Sequence, residues 1–252
     1  MKGNLTIDCG HTSVKVAFFI GAQLVATNRF DRTSTAMLER MFSNYKPDTV
    51  TLCNVTEGDT EIDNIVNNRC RRVLRLSHTT PLPIALGYLT PETLGRDRIA
   101  TAVGAWTVAQ RLAPGSDMLI IDAGTAVTYD LVTGAGRFVG GNISPGLEMR
   151  FKALHEHTGN LPLVSSNGAM PVVGYDTDTA IRSGVALGLL GEIRSHIADI
   201  RLSHPNLLVF VTGGDGKFLR NNLKSDFIYL ENLLAEGLNR IFLYNEQRNE
   251  NQ

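Results

Sequence analysis

The sequence is poor in cysteine and has no long apolar run. Its three cysteines, Cys9, Cys53 and Cys70, are odd in number, far apart and outside any Cys-x-x-Cys pair. This pattern argues against a disulfide framework and a zinc site, and it favours a reducing compartment. No apolar stretch approaches the length that crosses a bilayer, so we expect no membrane association.

We also expect no cationic leader. Val16–Ala26 is the apolar candidate, but Asp8 and His11 precede it where a leader would be cationic, and Gln23 interrupts it. We interpret this segment as part of two strands and expect a cytoplasmic protein.

The chain has no excess of charge of either sign. It carries 24 Lys and Arg against 25 Asp and Glu in 252 residues. No global field therefore favours nucleic acid or an anionic membrane surface. The basic strip at Arg69, Arg71, Arg72 and Arg75 contains no aromatic residue, so we interpret it as solvated surface and not as a nucleic-acid platform.

Two segments of the sequence repeat one pattern. In the first, an apolar run leads into Asp8–Thr12, and a second strand-like run starts at Ser13. In the second, an apolar run leads into Asp122–Thr125, and a strand-like run starts at Ala126. Glycine lets backbone N–H groups close on an anion, and hydroxyls add donors. The Asp at each strand end is placed to hold a cation or water beside that anion. One copy could be an ordinary turn. Two copies facing each other would grip a nucleotide triphosphate, which indicates a phosphoryl-transfer enzyme with a duplicated core.

Hydrophobic periodicity predicts an α/β protein with mixed sheets flanked by helices. In the first half, we expect strands at 4–8, 13–20, 23–29, 48–54 and 71–76, and helices at about 35–44 and 96–112. In the second half, we expect strands at 118–122, 126–132, 137–141 and 207–212, helices at about 146–157, 179–202 and 232–245, and a frayed tail at 246–252. Pro114-Gly115 marks the boundary, which predicts domains at 1–115 and 116–252.

Further polar and glycine-rich segments have two interpretations each. Asp97 in the Gly95–Arg98 segment is either an acid at a helix N-terminus or, beside a nucleotide cleft, the group that accepts a proton from an attacking hydroxyl. Arg98 could then pair with an anionic group. Thr212–Gly216 is an ordinary turn or a surface packed against a nucleotide. Gly140–Gly146 and Asp176–Ile181 are equally consistent with helix starts.

As a set, these residues resemble the type III pantothenate kinase family. The matching segments follow the family order: Asp8-x-Gly10-x-Thr12-x-x-Lys15, Gly95-x-Asp97-Arg98, Asp122-x-Gly124-Thr125, Gly140-Gly141-x-Ile143-x-Pro145-Gly146, Thr177-x-x-Ala180-Ile181-x-x-Gly184 and Thr212-Gly213-Gly214. The resemblance covers nearly the whole chain.

The resemblance implies a fold, a reaction and a set of site residues. The fold is that of acetate and sugar kinases, Hsp70 and actin, with two ribonuclease-H-like (actin-like ATPase) domains, in a homodimer. The reaction is ATP-dependent phosphorylation of the terminal hydroxyl of pantothenate to 4'-phosphopantothenate, the first step toward coenzyme A. Asp97 is the implied catalytic base, Asp122 binds a monovalent cation (K⁺ or NH₄⁺), and Mg²⁺ accompanies ATP. The implied ATP contacts are Asp8, Cys9, Gly10, His11, Thr12, Ser13, Val14, Lys15 and Thr125. The implied pantothenate contacts are Tyr88, Gly95, Arg96, Asp97, Arg98 and, reaching into the partner subunit's site, Thr177.

The sequence departs from the family pattern at two positions. His11 stands where Asn is usual, and Arg96 stands where a small residue is common. Because histidine still offers a donor, we expect an altered phosphate contact at His11. Two alternatives stay open: a kinase of the same fold for another small hydroxylated or acidic metabolite, and an inactive regulatory or accessory protein.

Overall fold

A computed structural model describes residues 3–10, 13–32, 34–53 and 60–250. The strands are β1 (Gly3–Cys9), β2 (Ser13–Ile20), β3 (Gln23–Asp31), β4 (Thr49–Cys53), β5 (Arg72–Arg75), β6 (Ala85–Leu86), β7 (Met118–Ala123), β8 (Ala126–Val132), β9 (Arg137–Pro145), β10 (Leu208–Thr212) and β11 (Ile228–Tyr229). The helices are α1 (Ala36–Tyr45), α2 (Thr60–Arg69), α3 (Arg96–Leu112), α4 (Leu147–His157), α5 (Thr177–Ser203), α6 (Gly216–Asn222) and α7 (Leu233–Glu250), with a short 3-10 helix at Pro91–Thr93.

The first sheet has the strand order β3-β2-β1-β4-β5. β1 pairs antiparallel with β2 and parallel with β4, which in turn pairs parallel with β5. Every residue of β1 and of β4 is buried, as expected for central strands of a covered sheet. Leu5, Ile7 and Leu52 of these strands join Leu38 of α1 and Val66 of α2 in one hydrophobic cluster.

The second sheet repeats this arrangement. Its order is β11-β10-β7-β8-β9-β6, in which β7 pairs antiparallel with β8 and parallel with β10, and β10 pairs parallel with β11. Strands β7, β8, β9, β10 and β11 therefore occupy the places of β1, β2, β3, β4 and β5. β6 is an addition that pairs with Arg137 and Phe138 of β9. The expectation of an α/β protein with a duplicated core and mixed sheets is confirmed.

Backbone contacts divide the chain into two compact units. Unit 1 comprises the described residues of Met1–Leu112, Gly136–Phe138 and Asn232–Gln252, and unit 2 comprises Ala113–Ala135 and Val139–Glu231. The division between two ribonuclease-H-like domains at 115/116 stays a prediction. The two compact units differ from the predicted domains chiefly in α7, which belongs to unit 1 although the predicted second domain includes it.

Helix α7 is anchored in unit 1 by polar side chains as well as apolar ones. Asn239 is buried, and its amide oxygen accepts a hydrogen bond from Asn4 Nδ2 at 3.0 Å while its Nδ2 donates to Gly21 O at 2.9 Å. The predicted helix end at residue 245 is wrong, and so is the frayed tail for residues 246–250, because the helix continues to Glu250. The last two residues of the predicted tail lie outside the described residues. Glu246, in the last part of the helix, forms an ion pair with Arg72 of β5, which holds that part against unit 1.

Candidate active site

The first glycine turn lies at the end of β1. Asp8 is 7% exposed, and its register partners are Lys15 on β2 and Cys53 on β4. Gly10 N donates to Ser13 O at 3.0 Å, which closes the turn between β1 and β2. His11 and Thr12, two predicted ATP contacts, lie outside the described residues.

The other predicted residues of this turn have different exposures. Cys9 and Val14 are buried in the core of unit 1, so their side chains stabilise the turn and only their backbone is suited to an anion. Ser13 is half-buried, whereas Lys15 is exposed. Residues directly opposite in an antiparallel pair share a face of the sheet, so the Lys15 ammonium lies on the same face as the Asp8 carboxylate.

Two arginines of the following strand and loop also contact the first turn, and sequence reasoning missed both. Arg29 Nε donates to Ser13 Oγ at 3.0 Å, and Arg32 Nη1 donates to Gly10 O at 3.3 Å. Arg29 is the register partner of Lys15. Two basic residues in the predicted hairpin, Lys15 and Arg29, indicate an anion site only if they lie opposite each other. The sequence does not give the pairing register of the two strands, so this signal could not be used.

Asp97 lies in the first turn of α3 and is half-buried. Its Oδ1 accepts a hydrogen bond from Arg98 N at 2.9 Å, so the carboxylate is held at the helix N-terminus. Burial raises the pKa of the Cys53 thiol, and the negative charges of Asp8 and Asp97 raise it further, while Arg96 lowers it. Both carboxylates therefore lie close enough to this buried thiol for their charges to act on it, and both belong to unit 1.

Arg98 lies in an aromatic environment of unit 1. It is 6% exposed, and its guanidinium carbon lies 5.7 Å from the ring centroid of Tyr88 and 5.8 Å from that of Phe138. A buried guanidinium over aromatic faces keeps its charge and a fixed orientation. The structure therefore brings together Tyr88 and Arg98 of the predicted pantothenate contacts, whereas Arg96 is exposed.

The second glycine turn lies at the end of β7 in unit 2. Gly124 N donates to Ala126 O at 2.9 Å, Asp122 is half-buried and Thr125 is exposed. Gly213 packs against this turn with φ +95°, and a Cβ there would lie 2.5 Å from Asp122 Oδ1 and 2.3 Å from Ala123 O. The Thr212–Gly216 segment is thus part of the turn's surroundings and requires glycine at residue 213.

Thr177 is the first residue of α5 and is exposed. The preceding Asp176 is the N-cap, since its side chain accepts a hydrogen bond from Thr179 N at 2.7 Å. The helix-start interpretation of the Asp176–Ile181 segment is therefore correct. Thr177 and the second turn belong to unit 2, and the remaining described candidates belong to unit 1.

The described part of the chain contains neither a metal-ligating cluster nor a helix suited to a membrane. Across residues 3–10, 13–32, 34–53 and 60–250, no group of three or more His, Cys, Asp or Glu side chains could hold a metal ion. Within the same ranges, no helix combines the length and the apolarity needed to cross a membrane.

Comparison with known proteins decides the family. The family model for type III pantothenate kinase matches residues 4–199. The chain belongs to the type III pantothenate kinase family. A type III pantothenate kinase from Bacteroides fragilis is 44% identical over 245 residues, which cover 97% of this chain and 99% of the relative. The resemblance drawn from the motifs is thereby confirmed.

Solved structures of other proteins share the fold of this chain. A Campylobacter jejuni protein described as a Baf family transcriptional activator matches with a TM-score of 0.61 and 20% identity, over 96% of this chain and 99% of the other. The inorganic polyphosphate/ATP-glucomannokinase of Arthrobacter sp. strain KM matches with a TM-score of 0.52 and 12% identity, over 98% and 100%. At such identities the likeness shows the fold alone, which is that of sugar kinases and actin-like ATPases. The roles of the individual site residues in this family member stay predictions.

Proposed function

We propose that this protein transfers the γ-phosphoryl group of ATP to the terminal hydroxyl of pantothenate, giving 4'-phosphopantothenate for coenzyme A synthesis. Membership of the type III pantothenate kinase family supports the substrate and the reaction. The observation that carries the proposal is the position of Asp97, whose carboxylate acts together with that of Asp8 on the one thiol of Cys53. This shared effect supports a potential base near the glycine turn that would hold the phosphates.

In the proposed reaction, Asp97 orients the hydroxyl of pantothenate and accepts its proton. The hydroxyl oxygen forms a bond to the γ-phosphorus while the bond from that phosphorus to the β–γ bridging oxygen breaks, and ADP leaves. An ordinary carboxylate suffices, because positioning and charge stabilisation dominate phosphoryl transfer. The backbone N–H groups of the Asp8–Lys15 turn and the Lys15 ammonium would bind the phosphates, and Mg²⁺ accompanies ATP. Thr125 of unit 2 stays a predicted ATP contact.

The buried guanidinium of Arg98 would bind the carboxylate of pantothenate. Its place near the rings of Tyr88 and Phe138 supports this role, because the two rings restrict the orientation of the guanidinium fork. Gly95 and Arg96 flank Asp97 and would complete the pantothenate contacts.

Asp122 would hold the monovalent cation. Its carboxylate lies at the end of β7 beside the second glycine turn and is half-buried. A carboxylate oxygen is a ligand that K⁺ takes and an acceptor for the N–H groups of NH₄⁺, so Asp122 fits either cation. A bound cation would offset negative charge near the phosphates.

We further propose a cytoplasmic homodimer in which Thr177 reaches the partner subunit's site. Apolar side chains next to Thr177 support an interface there: Val172, Val173 and Tyr175 are 91%, 80% and 74% exposed. Exposed apolar clusters of this kind are typical of protein–protein contacts. The three free cysteines suit a reducing cytoplasm.

The variant Asp97→Asn tests the proposed function. The amide keeps the size of the side chain but cannot accept the proton, so we expect kcat to fall by at least about 100-fold with ATP affinity nearly unchanged. Glu92→Gln is the matched control, because Glu92 is an exposed acid in the 3-10 helix just before α3. Phosphate transfer would be followed with pantothenate, sugars and short acids, with and without K⁺. Near-normal turnover in Asp97→Asn would show that Asp97 is not the catalytic base. Faster phosphate transfer to another acceptor would show that pantothenate is not the preferred substrate.

A further inference from the structure

We propose that Arg150 is a positioning residue for the second glycine turn. Arg150, Glu192 and Tyr129 form a hydrogen-bonded chain in unit 2, which we call the brace. The brace holds the Ser144–Gly146 segment, and this segment holds the backbone of Gly124 and Thr125. The inference rests on the proposed function in so far as that turn serves ATP.

Arg150 makes three side-chain hydrogen bonds from the first turn of α4. Its Nε donates to Pro145 O at 2.8 Å, and its Nη2 donates to Ser144 Oγ at 2.7 Å. The same Nη2 donates to Glu192 Oε2 at 2.6 Å. One planar guanidinium thus ties the end of β9 to α5, a geometry that the single ammonium of a lysine cannot reproduce.

The far end of the brace is itself fixed. Tyr129 OH donates to Glu192 Oε1 at 2.7 Å, and the Tyr129 ring packs on His196 with centroids 4.2 Å apart. Burial and the Glu192 carboxylate raise the pKa of Tyr129, so its hydroxyl stays a donor. Burial alone would raise the pKa of Glu192, but the hydrogen bonds from Arg150, Tyr129 and Ser144 lower it on balance. The ion pair is therefore charged at neutral pH.

The Ser144–Gly146 segment is in direct backbone contact with the second turn. Gly146 N donates to Thr125 O at 3.0 Å, and Arg150 N donates to Gly146 O at 3.0 Å. A Cβ at Gly146 would lie 2.2 Å from Gly124 O and 2.4 Å from Thr125 O. With so little space between the two backbones, any shift of Gly146 displaces the turn.

The brace fixes the position of the Ser144–Gly146 segment more than it contributes to the free energy of unfolding. The side chains of Arg150 and Glu192 are 21% and 27% exposed, and ion pairs that water reaches stabilise a fold little. A fork that fixes two consecutive residues before Gly146 does, however, select one position of the segment. Since small displacements of binding groups cost much affinity, the brace should matter for ATP more than for unfolding.

The test compares ATP binding, pantothenate binding and thermal stability in the full-length protein. Arg150→Met keeps a long side chain and removes the fork, so we expect ATP to bind about tenfold more weakly. Pantothenate affinity should stay within about twofold, because its proposed contacts in this chain lie mainly in unit 1. Arg150→Lys keeps the charge beside Glu192 and should recover part of the loss. Lys217→Met is the control, since it removes an exposed ion pair of the same unit, Lys217 with Glu231 at 3.3 Å.

Titration calorimetry with ATP and with pantothenate gives the affinities, and steady-state kinetics gives the separate effects on KM and kcat. Unchanged ATP affinity in Arg150→Met would overturn the inference. So would a parallel loss of both affinities and of the melting temperature, which indicates general structural damage. The acceptor assay on the unmodified protein tests the proposed function separately. If the protein binds ATP but phosphorylates another acceptor, pantothenate is the wrong substrate. The ratio of the ATP affinities of the unmodified protein and Arg150→Met still decides the role of Arg150.

Discussion

At the scale of single residues, the first glycine turn contains more positive charge than its motif indicates. Arg29 and Arg32 both donate hydrogen bonds to residues of this turn, and Arg29 lies opposite Lys15 in the hairpin. Asp8 is the only carboxylate in the row that Cys53, Asp8, Lys15 and Arg29 form across the strands. This row ends in two adjacent cations, Lys15 and Arg29, an order that suits a chain of phosphates.

We expect Arg29→Gln to weaken ATP binding. The amide can still donate to Ser13 Oγ but has no charge, so the KM for ATP should rise about three- to tenfold with a smaller change in kcat. The effect should shrink at high salt, because the side chain is exposed. Steady-state kinetics at low and high ionic strength measure both effects.

Arg40→Gln is the control for this change. Arg40 is an exposed arginine of α1 in the same unit, and we expect its loss to leave the KM for ATP unchanged. An equal rise of the KM for ATP in the two variants would mean that Arg29 acts only through the overall positive charge of unit 1 and has no specific contact with ATP.

At the scale of elements, the sequence predicts those strands and helices whose positions follow from local hydrophobic periodicity and turn residues. The strands with strong periodicity and the helices at 35–44, 96–112 and 179–202 correspond to observed elements. Asp8, Asp97, Asp122 and Thr212 lie at the strand ends or helix start where they were expected. The strand predicted at 137–141 is too short, because β9 continues to Pro145 and includes most of the Gly140–Gly146 segment. Helix α2 was missed because Ile62 and Val66 are its only fully buried apolar residues among many asparagines, so packing against the sheet determines it. The contacts of Arg29 and Arg150 span 16 and 42 residues, and no local pattern reports them.

Helix α7 shows how a distant element completes the sheet of unit 1. Asn239 satisfies Asn4 Nδ2, and Asn4 Oδ1 in turn accepts hydrogen bonds at 3.1 Å from Thr49 and Thr51 of β4. These polar groups are all buried, so they depend on one another for their partners.

We expect Asn239→Ala to lower the free energy of unfolding by about 2 kcal/mol, because it leaves a buried amide of Asn4 and the carbonyl of Gly21 without their partner. Urea unfolding followed by circular dichroism measures the change. Asn249→Ala, at an exposed position of the same helix, should alter stability by less than about 0.5 kcal/mol. If the two variants were equally stable, the amide network would have no part in fastening α7.

At the scale of the whole molecule, the chain builds unit 1 from both of its ends. Unit 1 contains the described residues of the first 112 positions, and α7 closes it after the chain has formed unit 2. Helix α7 packs along α3, the helix that bears Asp97, and buries Leu238, Ile241 and Phe242. The proposed base therefore depends on a helix more than 130 positions away along the chain.

Removal of the residues after Glu231 should unfold unit 1 selectively. The loss of four large buried apolar side chains, those of Leu233, Leu238, Ile241 and Phe242, and of the Asn239 amide costs more than several kcal/mol, a large part of the stability of a domain. Hydrogen exchange measures the outcome: amides of α3 and β1 should lose protection, while those of β7 and β10 in unit 2 keep it. Undiminished protection of α3 would mean that unit 1 folds without its last helix, whereas loss of protection in β7 as well would mean that the two units unfold together. Selective loss would establish that the helix with Asp97 acquires its place only when the end of the chain has docked.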